Sequence, residues 1–175
     1  MSNINLLLNH GIDTGTSCLH INGSVDSVMY NKFLTGLAVL NKTKTKKPIK
    51  VIFNTDGGDV EMSFAIYDLI VGSPRPVHIL VNGPCFSAGI MILAAAERRF
   101  ATYSSRFLIH FGPQSGDSKA EWQHEERAHE LYIERTTNVC SRTYVEVEQM
   151  YAGETYFGVD EALEMNLINE MVWRL

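Results

Sequence analysis

The chain has 175 residues, 45% of them hydrophobic and 20% charged, with a formal net charge of −5. That length and composition fit one globular domain with a sizeable core. The acidic balance, without any basic stripe, excludes general nucleic-acid binding, and no apolar run approaches the ~20 residues that span a bilayer.

Residues 1–16 are polar and Gly/Thr-rich around Ile4–Leu8, which predicts a loose N-terminal arm contributing one strand at most. The arm lacks a basic stretch and a cleavage pattern, so no signal peptide is expected. Cys18–Asn22 reads as a short strand and Ser27–Leu40 as a helix capped by Asp26 or Ser27. A Lys/Thr loop, Asn41–Lys47, leads into the β-branched and aromatic strand Pro48–Asn54. Thr55-Asp56-Gly57-Gly58-Asp59 then opens an amphipathic helix, Val60–Val71, which Ser73-Pro74-Arg75-Pro76 breaks.

A third strand, Val77–Asn82, is expected to stop at Gly83-Pro84. Ser87-Ala88-Gly89 follows, and Ile90–Glu97 is a run of good helix formers. Arg106–Phe111 reads as a strand carrying His110, and Gly112–Ser118 as a polar loop. Lys119–Val139 is a long helix, charged on most sides, expected to make contacts between subunits instead of packing on its own domain. A short extended piece, Gly153–Phe157, a helix, Val159–Met165, and a last strand, Ile168–Trp173, close the chain.

Strands alternate with helices three times, which favours an α/β fold with parallel pairing through right-handed crossovers. The Gly57-Gly58 turn and the Ser87 turn each follow a strand of that sheet. Both therefore fall outside the carboxyl ends of the strands, where open α/β sheets bind ligands. A serine at a helix N-terminus also has unpaired N–H groups beside it, able to hold a developing oxyanion. The plainer reading of Ser87 is an N-cap before a core helix.

Cys18, Cys85 and Cys140 are an odd number at unrelated spacings, which argues against disulfides and a zinc site and for a reducing, cytoplasmic compartment. His124 and His129 flank Glu125 and Glu126 at a spacing of five, not the i, i+4 pair of a metalloprotease, and read as a solvated helix face. No metal and no cofactor is expected.

Several segments, in order, resemble the proteolytic subunit of Clp protease. Phe53–Gly58 is similar to the family's strand and Gly-Gly turn, and Ala65-Ile66-Tyr67-Asp68 to a run in the helix after it. Phe86-Ser87-Ala88-Gly89 before Leu93–Ala96 resembles the segment around the nucleophilic serine. Ser105–His110 resembles the histidine segment, and Glu161-Ala162 with Asn166–Glu170 the C-terminal end. The resemblance implies a ClpP/crotonase-like repeated ββα superhelix, a single peptidase domain over residues 1–175 with a handle at about 112–141. It implies a serine endopeptidase acting on peptides or unfolded proteins inside stacked seven-membered rings.

The same resemblance implies Ser87 as nucleophile, His110 as general base and Glu154 as the orienting acid. Gly57, Gly58 and Ala88 would supply oxyanion donors. The chain departs from the family at three places. Asp56 replaces the usual Pro of the Gly-Gly turn, Glu154 stands where Asp is usual, and the segment between His110 and Glu154 is shorter. Asp160 and Asp56 are substitutes for Glu154. No axial hairpin is recognisable, which weighs against docking of an AAA+ unfoldase; a virus-encoded form would work in the host cytoplasm. Cys85, not glycine, lies two residues before Ser87, so the lipase-type G-x-S-x-G elbow is absent. Two alternatives remain: a crotonase-like acyl-CoA enzyme, which needs no Ser–His pair, and an inactive ClpP-like scaffold subunit.

Overall fold

Val51, Phe53, Ile79, Val81 and Ala101 are all fully buried, and they come from three adjacent parallel strands. The computed structural model describes residues 3–112 and 118–173. In chain order its elements are α1 (Asn3–His10), β1 (Ile12–Asp13), β2 (Cys18–Asn22), α2 (Ser27–Asn41), β3 (Ile49–Thr55), α3 (Val60–Val71), β4 (Val77–Phe86) and α4 (Ala88–Ala94). There follow β5 (Arg98–Thr102), β6 (Arg106–Ile109), α5 (Lys119–Thr137), α6 (Tyr144–Ala152), β7 (Thr155–Phe157), α7 (Val159–Glu164) and β8 (Glu170–Val172).

The sheet order is β1-β2-β3-β4-β5-β8, with β6 paired to β4 and β7 paired to β6. β2, β3, β4 and β5 run parallel, and α2, α3 and α4 are the crossovers between them. The alternating burial of β3, from Ile49 to Thr55, faces Val51 and Phe53 into the core. Phe33 of α2 meets Phe53 edge-on, at 6.4 Å between ring centroids. Asp59 caps α3 by accepting from Met62 N–H at 2.9 Å.

Besides β5 and α6, which the sequence reading did not include, three elements depart from it. The N-terminal arm forms a helix, α1, and one short strand, β1, antiparallel to β2. Asp13 fixes this corner: Asn3 Nδ2 and Thr16 Oγ1 donate to its carboxylate at 3.1 and 2.7 Å. Those donors, Thr16 first, hold the Asp13 carboxyl down at about 2.

β4 does not stop at Gly83-Pro84. It runs on to Phe86 and changes partner there, pairing with β5 through His78–Val81 and with β6 through Pro84–Phe86. Pro84 lacks an N–H, and it stands at the first position of the new pairing, where a strand tolerates that loss.

α5 packs on its own domain through its second half. Ala128, Tyr132, Ile133 and Thr136 are buried, a narrow stripe among charges on the other faces. The two hydroxyls in that stripe are satisfied, Tyr132 with Ser63 Oγ at 2.7 Å and Thr136 with Tyr151 at 2.8 Å. The polar loop expected at 112–118 falls almost wholly outside the described residues. No described helix is long and apolar enough to cross a membrane.

Arg99 of β5 is buried without an acidic partner among the described residues. Its guanidinium donates to four carbonyls, those of Leu167 (2.8 Å), Ala96 (3.0 Å), Val139 (3.2 Å) and Asn166 (3.3 Å). One side chain thus ties the ends of α4, α5 and α7 to the sheet. Burial lowers its pKa from the ordinary value. Arg99→Met removes every donor and leaves the carbonyls, so it should lower unfolding stability by about 2–4 kcal/mol in a urea titration. A loss under about 1 kcal/mol would show that the carbonyls find other partners.

Candidate active site

Ser87 joins β4 to α4 at φ 54°, ψ −120°, a conformation that a side chain rarely adopts. Two constraints hold it. Its N–H donates to Leu108 O of β6 at 2.8 Å, and its carbonyl accepts from Ile90 N–H at 2.9 Å. Glycines make room on both sides. A Cβ at Gly57 (φ +99°) would fall 2.8 Å from Ser87 Cβ and 3.0 Å from Phe86 O, and one at Gly89 would run into Thr55 Cγ2. The strained strand-to-helix turn therefore exists without the G-x-S-x-G pattern. Cys85 fits two residues before Ser87 because its side chain is fully buried in the core, and burial pushes its thiol pKa up, away from reactivity.

His110 follows the last residue of β6 and is half-buried. The next residue, Phe111, donates its N–H to Tyr151 O at 3.1 Å, which anchors the strand end to α6. Ser87, His110 and Gly58 line one cavity of about 420 Å³ at the carboxyl ends of β3, β4 and β6.

Glu154 is exposed, at φ 51°. The antiparallel β6–β7 register pairs Ile109 with Thr155, so Glu154 and His110 each adjoin that last pair, at the same end of β6. Asp160 lines a separate surface depression with Ser105 and Arg106, at the opposite end of β6, four residues or ~13 Å along the strand from His110. Asp56 is exposed in the glycine turn. Among the described residues no hydrogen bond joins Ser87 to His110 or His110 to Glu154. Catalytic hydrogen bonds are commonly long or poorly aligned before a ligand is bound.

The expected oxyanion donors separate. Gly57 N–H donates to Thr55 Oγ1 at 3.0 Å and is therefore engaged. Gly58 and Ala88 N–H groups have no partner among the described residues. Thr55, which the sequence reading passed over, holds the turn in shape; a threonine two residues before the turn glycine was the available signal.

A second departure concerns His129. It does not lie on a solvated face: its ring stacks on Phe111 at 4.0 Å and lines the cavity. Burial lowers its pKa, against the opposing field of Glu125.

The parallel sheet and this pocket define an α/β protein with a serine and a histidine brought together at its strand ends. A model of the Clp protease family matches residues 14–174. The ATP-dependent Clp protease proteolytic subunit 1 of Protochlamydia amoebophila is 31% identical over 163 residues, covering 88% of this chain and 79% of that protein. Subunit 2 of Treponema pallidum is 31% identical over 161 residues, covering 87% and 80%. The fold matches a point mutant of ClpP1 from Listeria monocytogenes at TM-score 0.87 and 24% identity, over 98% of this chain and 96% of that one. It matches ClpP1 of the same organism at TM-score 0.79 and 26% identity, over 93% and 94%.

The chain belongs to the Clp protease family. It has the ClpP fold and is a ClpP-type serine peptidase core, and neither the acyl-CoA nor the inactive-scaffold alternative is favoured.

The closeness of Gly57 to Ser87 is testable. Gly57→Ala places a methyl against the serine at a strained φ, and should lower kcat/KM on a fluorogenic peptide by about two orders of magnitude. Circular dichroism should show an intact fold. Activity within about threefold of the parent would mean that Gly57 does not set the serine's position.

Proposed function

We propose that Ser87, His110 and Glu154 act as a catalytic triad, with Gly58 and Ala88 as the oxyanion donors. The observation that carries this reading is the strained Ser87 turn, hydrogen-bonded to the strand that delivers His110 into the same cavity. Ser87 Oγ attacks the peptide carbonyl while His110 takes its proton and then passes it to the leaving amine. The resulting acyl-enzyme is hydrolysed by water, with His110 again as base. Glu154 orients the imidazole and stabilises its cation. Of the candidate acids it is favoured by register, since Asp160 lies at the far end of β6. The N–H groups of Gly58 and Ala88 are suited to the developing oxyanion, each worth about 3–4 kcal/mol in a good site.

The substrates of this reading are peptides and unfolded chains, and the working form is a homo-oligomeric ring of seven subunits, stacked in pairs, in the cytoplasm. Apolar side chains left exposed on one subunit support assembly, among them Ile4 and Leu8 of α1 and the stacked Tyr103 and Trp173.

The purified protein should hydrolyse a short fluorogenic peptide without ATP, and Ser87→Ala should abolish turnover. Glu154→Gln keeps the shape and loses the charge, so kcat should fall by about four orders of magnitude with KM little changed. If Glu154→Gln keeps more than about a third of parental turnover, a barrier change under about 1 kcal/mol, Glu154 is not the triad acid. A stable monomer at micromolar concentration by native mass spectrometry would contradict the ring.

A further inference from the structure

We propose that Thr55 is a positioning residue, whose buried hydroxyl aims the Gly58 N–H at the developing oxyanion. The inference rests on the peptidase reading with Gly58 and Ala88 as oxyanion donors, and adds a side chain that acts on them through the backbone. It begins with the peptide unit between Gly57 and Gly58. A trans peptide is planar, so the Gly57 C=O and the Gly58 N–H point in opposite directions and can only turn together. The Gly57 C=O accepts from Val25 N–H at 2.8 Å, which sends the Gly58 N–H away from Val25. The Gly57 N–H donates to Thr55 Oγ1 at 3.0 Å. Gly57 is thus gripped at both ends, by Val25 on one and by Thr55 on the other.

That grip matters because the turn has little else to fix it. Gly57 and Gly58 stand at φ +99° and +147°, and neither has a side chain to restrict it. The bond from Asp59 N–H to Val25 O, at 2.8 Å, holds the far side of Gly58 without using its N–H. Released from Thr55, the Gly57–Gly58 plane would be free to rock about its remaining bond to Val25.

Thr55 is itself held. It is 1% exposed and stands opposite Cys85 in the β3–β4 pairing. Its Cγ2 lies against Gly89 in the first turn of α4, where a Cβ would collide with it. A β-branched side chain is stiff at χ1, so seating the methyl on Gly89 fixes the direction of the hydroxyl. One side chain therefore touches both walls of the oxyanion site: the turn that carries Gly58 and the helix start that carries Ala88. Two donors serve one oxygen only if each lies about 2.7–3.1 Å from it, so their separation must be set in advance.

The test compares three variants of the full-length enzyme. Thr55→Val keeps the shape and the methyl and loses the hydroxyl; Thr55→Ala loses both and introduces no clash; Thr55→Ser keeps the hydroxyl alone. In the valine and alanine variants, kcat on a fluorogenic peptide should fall at least about thirtyfold, with KM within about twofold of the parent. The inhibition constant of a peptide boronic acid should rise by a similar factor. Ser87 Oγ adds to the boron and His110 takes the proton, giving a tetrahedral anion that needs the same donors. Thr55→Ser should retain kcat within about fivefold. Fewer folded molecules would lower the apparent kcat but leave the inhibition constant unchanged, so that constant separates positioning from packing. An inhibition constant within about threefold of the parent in both variants that lack the hydroxyl would overturn the role of Thr55 and leave the peptidase reading intact. So would a serine variant as impaired as the alanine one. A parent enzyme that neither cuts the peptide nor binds the boronic acid would overturn both.

Discussion

The hydrogen bond from Ser87 N–H to Leu108 O, 2.8 Å long, is the constraint on which the rest of the site depends. It closes the ladder between β4 and β6 at the point where β4 ends. One partner is the backbone of the serine, and the other lies two residues before His110. The two side chains that the proposed mechanism pairs are thus fixed relative to each other by sheet pairing, not by flexible loops. The change of partner along β4 makes this possible. Had β4 stayed paired with β5 to its end, no strand would deliver His110 to the serine turn.

The same bond helps to hold Ser87 at positive φ. Such a conformation costs about 1–3 kcal/mol and persists only when the surroundings over-determine it. Here the surroundings are the β6 ladder on one side, the first turn of α4 on another, and the Gly57 backbone on the third. The wholly buried α4 is the counterweight: Ile90, Met91, Ile92 and Leu93 all have essentially no exposed surface. Burying side chains of that size contributes roughly 1.5–3 kcal/mol apiece, enough to hold one strained residue at the start of the helix. The result is a serine placed in advance, with N–H groups nearby that have no partner among the described residues, before any substrate arrives.

Legibility in the sequence followed the range of the interactions. α3 appeared at its actual bounds, because its cap, Asp59, and its breaker, Pro74, are local signals. Ser87 and His110, which the structure places in one cavity, stood out in the sequence chiefly because their two segments resemble the Clp protease family. β4 was cut short because Gly83-Pro84 reads locally as a stop, whereas the strand is continued by a partner far along the chain. β5 went unseen because it begins Arg98-Arg99, and only the structure shows Arg99 buried among carbonyls. α6 was missed although Thr143 and Glu146 form a capping box, since Val147 and Tyr151 alone gave a thin apolar pattern. The inward face of α5 was hidden for a similar reason: its cavity-lining positions are dispersed among charges, and their inward orientation comes from tertiary packing.

The central claim is that Ser87 is a nucleophile activated by His110. Intact-mass spectrometry of the protein treated with a fluorophosphonate probe, followed by peptide mapping, tests it most directly. The account predicts one adduct per chain, located on Ser87, and slowed at least about a hundredfold in His110→Ala. Absence of an adduct on the folded protein, or an adduct on Ser87 that forms equally fast in His110→Ala, would contradict it.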